Sequence, residues 1–289
     1  MNGVPMMTLA SGVRIPQLGL GVWQASPADT ERAVAVAIGE AGYRHIDTAA
    51  IYGNEEAVGR GIAAAGVPRE DLFITTKLWN ADHGRDRALA AIDASLGRLG
   101  LDHVDLYLIH WPLQDAARRA ETWRALEEIR EAGKARAIGV SNFTIGQLEE
   151  LIDLGGAVPD VNQVELHARF PQHELRAFCE SRGIAVEAWS PLGGAPKSWG
   201  DKPNTLLGDP VVAEVAARHG RSPAQVLIRW HLQEGRIVIP KSVRPERIAE
   251  NIDVFGFELD AADLAQIAGL ETGERIGADP AVADFGAPA

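Results

Sequence analysis

Short apolar or alternating runs recur along the chain, and each is followed by a longer stretch whose apolar residues return every three or four positions. A strand period that gives way repeatedly to a helix period predicts parallel β/α units. Strands are expected near residues 17–21, 45–47, 73–78, 104–109, 137–140, 161–165, 185–189 and 237–239. The first helix shows the pattern well: Thr30, Ala33, Val34, Ala37 and Ile38 share one face, and Pro27 suits a first turn capped by Ser26. Asp209 before Pro210 and Ser222 before Pro223 repeat that start. Ahead of the first strand, Thr8 and Leu9 are separated from Val13, Arg14 and Ile15 by Ala10, Ser11 and Gly12, a hairpin pattern suited to closing the bottom of a barrel. The class is α/β, and eight strands alternating with helices fit either a closed (β/α)8 TIM barrel or an open doubly wound sheet. The rhythm does not choose between them.

Length and composition narrow the function before any motif does. No linker or shift in composition divides the 289 residues, so a single domain over 1–289 is expected, with residues 191–208 as a long functional loop. With 28 basic and 40 acidic residues the net charge is -12, which argues against capture of nucleic acid or anionic lipid; an anionic ligand needs a local basic cluster. No run approaches the roughly 20 apolar residues that span a bilayer. The lone Cys179 forms no internal disulfide and leaves the compartment to other features; the start has no basic, apolar leader, so a cytoplasmic address is expected.

Four ionisable side chains fall at or just beyond the ends of successive strands: Asp47 and Tyr52 after the second, Lys77 in the third, His110 after the fourth. In parallel α/β architectures that edge binds ligands. Each residue singly has an ordinary structural explanation: a lysine reaching solvent, a satisfied histidine, an aspartate capping the next segment. Together at one edge they point to chemistry. Lys77 lies in a half-buried strand and needs a partner, which Asp47 can be. An ammonium beside Tyr52 would favour the phenolate and lower the phenol's pKa; unit charges about 4 Å apart interact by roughly 4 kcal/mol at an effective dielectric of about 20. Tyr52 would then serve as a general acid, and a neutral His110 could orient a carbonyl.

The residues around Gly19 and Gly21 lack the third glycine of a dinucleotide-binding fingerprint, so no Rossmann site is expected. Instead Lys241, Ser242, Arg244 and Arg247 gather where the last strand feeds a helix beginning near Pro245, a ready phosphate site. Trp23, Trp79 and Trp111 at strand ends would wall an apolar substrate pocket. None of the eight histidines forms the His-x-His arrangement of metal-dependent barrel hydrolases, so no metal is expected.

Residues 42–55, GYRHIDTAAIYGNE, resemble the aldo-keto reductase signature, and residues 101–112, LDHVDLYLIHWP, 139–143, GVSNF, and 239–243, IPKSV, agree with it in family order. The resemblance runs from about Thr8 to Leu270 and is nearest to bacterial members similar to 2,5-diketo-gluconate reductases. It implies a closed barrel, with Asp47, Tyr52, Lys77 and His110 as catalytic tetrad and NADPH/NADP+ as cofactor. It assigns Lys241, Ser242 and Arg247 to the 2'-phosphate, with Arg247 also stacking on adenine, Glu250 and Asn251 to the base, and Val243 to the cofactor. Ser141, Asn142 and Gln163 fall to the carboxamide, Trp189 to the nicotinamide ring, Ser190 and Leu192 to the pyrophosphate, and Val22, Trp23 and Asp47 also to the cofactor. Trp23, Tyr52, Trp79, His110 and Trp111 would contact a small carbonyl substrate. Many relatives have threonine at the position of Arg244, whose role stays open. The loop around residues 197–200 and the tail 270–289 would tune specificity. The resemblance implies a monomer. It also includes non-enzymatic NADPH-binding barrel subunits, so a sensor or interaction protein is the alternative.

Overall fold

Eight parallel strands form one sheet in the computed structural model, which describes residues 3–194, 206–283 and 285–286. A two-stranded antiparallel hairpin comes first, β1 (Met6–Thr8) and β2 (Arg14–Pro16). The sheet then follows chain order: β3 (Leu20–Gly21), β4 (His45–Asp47), β5 (Phe73–Leu78), β6 (Val104–Ile109), β7 (Ala135–Ser141), β8 (Val161–Glu165), β9 (Ala185–Trp189) and β10 (Ile237–Val238). Parallel bridges Leu18 to Val238 and Gly21 to Lys241 join its two ends and close it into a barrel. The expected strand at 17–21 is therefore regular only over Leu20–Gly21; the rest meets β10 through single backbone bonds, Gly19 N to Val238 O and Val238 N to Gln17 O, each 2.9 Å.

The outer layer contains α1 (Pro27–Val36), α2 (Glu55–Ala65), α3 (Arg85–Leu99), α4 (Ala116–Glu131), α5 (Ile145–Asp153), α6 (His173–Ser181), α7 (Pro210–His219), α8 (Pro223–Gln233), α9 (Pro245–Ile252) and α10 (Ala261–Ala268). The three caps read from sequence are all present: Ser26 accepts from Asp29 N, Asp209 from Val211 N, and Ser222 from Gln225 N in a capping box. Thr30, Ala33, Val34, Ala37 and Ile38 are buried as one face. Strand β7 begins two residues before its expected start at 137, because the exposed Arg136 breaks the apolar run while its guanidinium pairs with the buried Asp105 at 2.7 Å.

Two apolar cores result. One lies between strands and helices. The other fills the lower barrel interior, where Phe73, Leu106, Leu108, Ala137, Val161 and Ile237 meet Leu9 and Ile15 of the hairpin. The hairpin thus plugs the bottom, as its sequence position suggests. Each fully buried Leu, Ile or Phe side chain contributes about 1.5–3 kcal/mol. Because the barrel's inner face is filled and its outer face is covered by helices, Lys77 is wholly buried within β5, not half-buried as its strand pattern implies. Among the described residues no helix is long and apolar enough to cross a membrane.

Candidate active site

The upper barrel interior replaces apolar side chains with charged ones. Lys77 on β5 donates to Asp47 Oδ1 at 2.6 Å and to the Thr48 carbonyl at 2.9 Å, and its ammonium lies 5.2 Å from the centre of the Tyr52 ring. Burial lowers the Lys77 pKa, but Asp47, Tyr52 and Glu187 outweigh it, so the group stays protonated with its pKa raised. Tyr52 reverses the expectation set by its neighbour. Burial raises the phenol's pKa more than Lys77 lowers it, and Asp47 and Glu187 add to the rise, so the net shift is upward. The ammonium moderates the shift without deciding its sign, because a buried phenolate loses its hydration as well as gaining a cation.

His110 follows β6, its ring 5.5 Å from that of Tyr52 and 5.3 Å from that of Trp79, both edge to face. Burial and then Lys77 hold its pKa well below 6.5, so the ring is neutral at pH 7. Its Nδ1 is enclosed without a hydrogen-bond partner among the described residues, which leaves Nε2 as the nitrogen able to address a ligand. Asp47, Tyr52 and His110 line one cavity of about 680 Å³, with Lys77 immediately behind them.

That cavity continues past Ser141, Asn142, Gln163, Trp189, Ser190 and Leu192 to Lys241, Ser242, Arg247, Glu250 and Asn251. The expected cofactor residues are thus gathered along one groove, apart from two: Val22 and Val243 do not line it. Val22 is buried, with its carbonyl accepting from Asn54 Nδ2 at 3.0 Å. Arg244 also lies off the cavity, its backbone N–H bonded to Ser242 Oγ. Within the groove many polar groups are already engaged. Ser141 Oγ donates to the Gln163 carbonyl at 2.7 Å, and Asn142 Nδ2 donates to the His110 carbonyl and to Ser141 Oγ. Trp189 Nε1 donates to Asn142 Oδ1 at 2.8 Å, which fixes the indole against the strand ends. Asn142 has φ 64°, a left-handed conformation that asparagine tolerates better than most residues, and it turns the chain across the barrel mouth. What these side chains retain toward the groove is chiefly acceptor capacity, suited to an amide N–H₂.

The opposite end of the cavity is walled by Trp23, Ile51, Trp79, Trp111 and Phe285. Phe285 comes from the C-terminal tail and packs edge to face on Trp111 at 4.8 Å, with Trp79 at 6.2 Å. The tail is strapped down by the buried Glu165 at the end of β8, which accepts from the backbone N–H of Ile276 and Gly277. A Cβ on Gly277 would meet the Trp189 ring at 2.6 Å, so only glycine lets the strap pass this closely. The loop segment 197–200 lies outside the described residues.

Gln24, Ile51, Leu207, Phe285 and the turn Ser222–Ala224 also line the cavity, although the sequence marks Ser222 and Pro223 only as a helix start and Phe285 only as part of the tail. Ser222 Oγ donates to Glu250 across that turn. Phe285 carries no local signal. Glu165 and Glu187 do: each is a charge within or at the end of an apolar barrel strand, the same sign that marks Lys77. Among the described residues no group of three or more His, Cys, Asp or Glu side chains could hold a metal ion.

Residues 16–272 match the sequence model of the Aldo/keto reductase family. An aldo-keto reductase of Mycolicibacterium smegmatis is 57% identical to this chain over 97% of it and 98% of the relative. Morphine 6-dehydrogenase of Pseudomonas putida is 54% identical over 96% of this chain and 94% of its own. The crystal structure of a Bombyx mori aldo-keto reductase in complex with NADP is similar at a TM-score of 0.90 and 41% identity, covering 96% of this chain and 95% of that one.

Proposed function

The chain belongs to the aldo/keto reductase family, and from that premise we propose that it reduces aldehydes and ketones to alcohols with NADPH, using Tyr52 as the proton donor. The observation that carries this reading is the single continuous cavity, with Tyr52 and His110 at one end and Lys241, Ser242 and Arg247 at the other. The basic end, at the start of α9, suits an adenosine 2'-phosphate, because Lys and Arg charges reinforce the amide dipoles of a helix N-terminus. Glu250 and Asn251 would hold the base, Ser190 and Leu192 would follow the pyrophosphate, and Trp189, Ser141, Asn142 and Gln163 would seat the nicotinamide. When bound, the reduced nicotinamide supplies a hydride to the carbonyl carbon.

The residues of the chain supply the rest. His110, neutral, donates from Nε2 to the carbonyl oxygen and orients it. Tyr52 gives that oxygen the phenolic proton as charge develops on it. Lys77 then faces the resulting phenolate, and Asp47 keeps the ammonium in place. A phenol whose pKa is raised stays protonated until the substrate arrives, so the donor is loaded across the neutral range. The apolar walls exclude water and suit a substrate with a flat hydrocarbon body, which favours aromatic aldehydes; small dicarbonyls and keto-sugars, the latter suggested by the resemblance to 2,5-diketo-gluconate reductases, complete the expected range. The protein is read as a monomeric cytoplasmic enzyme that needs no metal.

Loss of NADPH absorbance at 340 nm across aromatic aldehydes, small dicarbonyls and keto-sugars, with NADH and Tyr52→Phe as controls, tests this. Turnover that needs both NADPH and Tyr52 is the expected result. Tight NADPH binding without turnover on any carbonyl would instead favour a cofactor-sensing protein.

A further inference from the structure

A second carboxyl lies behind the tetrad, and the chemistry above does not use it. Glu187 sits in the middle of β9, wholly buried, with its side chain in the barrel interior beside Gln163 of the neighbouring strand. Its Oε2 accepts from Gln163 Nε2 at 2.8 Å, and the same Nε2 donates to Asp47 Oδ2 at 2.8 Å. Both hydrogens of one amide nitrogen therefore end on carboxyl oxygens. Asp47 in turn holds Lys77 through Oδ1. The resulting chain is Glu187, Gln163, Asp47, Lys77.

The orientation of the Gln163 amide follows from these contacts. Turned over, it would set its oxygen against the Asp47 carboxylate and take away the donor that Asp47 Oδ2 holds, and a buried anionic oxygen left without its donor is costly. With both N–H groups directed inward, Oε1 is the part of the amide left for the cavity, which Gln163 lines. An oxygen fixed there recognises a ligand N–H₂ and refuses a carbonyl.

Glu187 fills this role through the hydrogen bond from Gln163, and its surroundings favour the neutral carboxyl. Burial, then the Asp47 charge, push its pKa to about 8, against the Gln163 hydrogen bond and Lys77, which lower it. The other titratable group nearby, His45 on β4, is itself neutral: its Nε2 lies 3.6 Å from Glu187 Oε1 and 3.2 Å from Thr75 Oγ1. The balance of charge in this layer is thus one ammonium against one carboxylate, with Tyr52 as the remaining acid. A second carboxylate anion would upset the Asp47–Lys77 pair.

We propose that Glu187 is a positioning residue for cofactor binding: by taking the second amide hydrogen of Gln163 it locks that side chain with Oε1 facing the cavity, preset for the carboxamide N–H₂ of the nicotinamide. The inference rests on the NADPH reading above. Without the carboxyl, the amide regains rotamers in the free protein, and ordering them on binding costs affinity.

The test measures binding, not turnover. Glu187→Met keeps length and removes the acceptor; Glu187→Gln keeps the acceptor. Dissociation constants are measured by calorimetry for NADPH and for adenosine 2',5'-bisphosphate, which carries the phosphate and base but no nicotinamide. Glu187→Met should weaken NADPH about tenfold while leaving the fragment unchanged, and Glu187→Gln should restore wild-type affinity. Placed on a Gln163→Met background, Glu187→Met should add no further loss. Unchanged NADPH affinity in Glu187→Met, equal weakening of NADPH and fragment, or a Glu187→Gln variant that folds yet binds NADPH weakly would each overturn the proposal. Failure of the underlying reading would look different: the wild-type protein itself would not bind NADPH.

Discussion

One barrel interior carries two unlike layers. Below, Phe73, Leu106, Leu108, Ala137, Val161 and Ile237 close on Leu9 and Ile15 of the hairpin. Above, His45, Asp47, Lys77, Gln163 and Glu187 occupy the same tube with the same degree of burial. Strand β5 contributes to both, with Phe73 in the lower layer and Lys77 in the upper, four residues apart on one face of a two-residue repeat. The lower layer is held by transfer of apolar surface from water and gains with every side chain buried. The upper layer loses hydration with every charge buried and is stable only because each charged group meets a partner. Stability therefore concentrates below and the proposed chemistry above, and substitutions in the two layers should have separable effects.

The largest separation is expected from Tyr52→Phe, which should lower kcat for carbonyl reduction by about 10²- to 10⁴-fold with NADPH affinity and thermal midpoint nearly unchanged. Retention of more than a tenth of the wild-type rate would remove Tyr52 from the role of proton donor. The counterpart below is Ile15→Ala, a truncation at a fully buried plug position. It should cost about 2–5 kcal/mol in urea unfolding and leave kcat per folded molecule within about twofold. A large loss of rate without a loss of stability would show that the two layers are coupled.

A third expectation concerns pH. His45 and His83 are buried neutral, with pKa values lowered by burial to about 3 and about 4, and His110 and His231 also lie well below 6.5. In the unfolded chain these groups take up protons near 6.5, so the stability they contribute is present above that pH and is lost as pH falls toward their folded values. A shift of one unit is about 1.4 kcal/mol, so His83 alone contributes on the order of 3 kcal/mol. Glu187 acts with the opposite sign: its pKa is raised from 4.5 to about 8, so its contribution is full below 4.5 and declines as pH rises to about 8. Thermal midpoints from pH 4 to 9 should therefore peak near neutrality, and Glu187→Gln should remove the alkaline decline while leaving the acid one. An alkaline decline of wild-type size in that variant would assign it to another group.

The smallest effect lies farthest from the layers. On the proposed reading, Arg247→Ala should weaken NADPH by about 2 kcal/mol and NADH far less, because the guanidinium would pair with the 2'-phosphate that NADH lacks. Equal weakening of both would move Arg247 off the phosphate.

Strong local physics made much of this legible in the sequence. The helix periods, the caps at Ser26, Asp209 and Ser222, and the hairpin before the first strand each depend on a few neighbouring residues and form at their pattern, whereas the strand pattern at 17–21 is regular only over Leu20–Gly21 and that at 137–140 starts at Ala135. Lys77 stood out because a cation in an apolar strand needs a partner. Glu187 lies in the run Ala185–Trp189 with the same signature, yet its partner Gln163 is on another strand, and no spacing along the chain joins the two. Phe285 had still less to mark it: its contacts with Trp79 and Trp111 depend on how Glu165 straps the preceding residues across the mouth.

The sequence by itself determined the α/β alternation, the edge on which the chemistry-bearing residues stand, and the residue types available there, because periodicity and end signals are properties of short segments. Only the tertiary structure decided that the sheet closes, through the bridges from Leu18 and Gly21 to the segment around β10, and that closure buries the upper layer on every side. It also decided the sign of the Tyr52 shift. A cation nearby can be inferred from sequence, but how much water a phenol loses depends on everything that surrounds it, and around Tyr52 that loss outweighs the charge of Lys77.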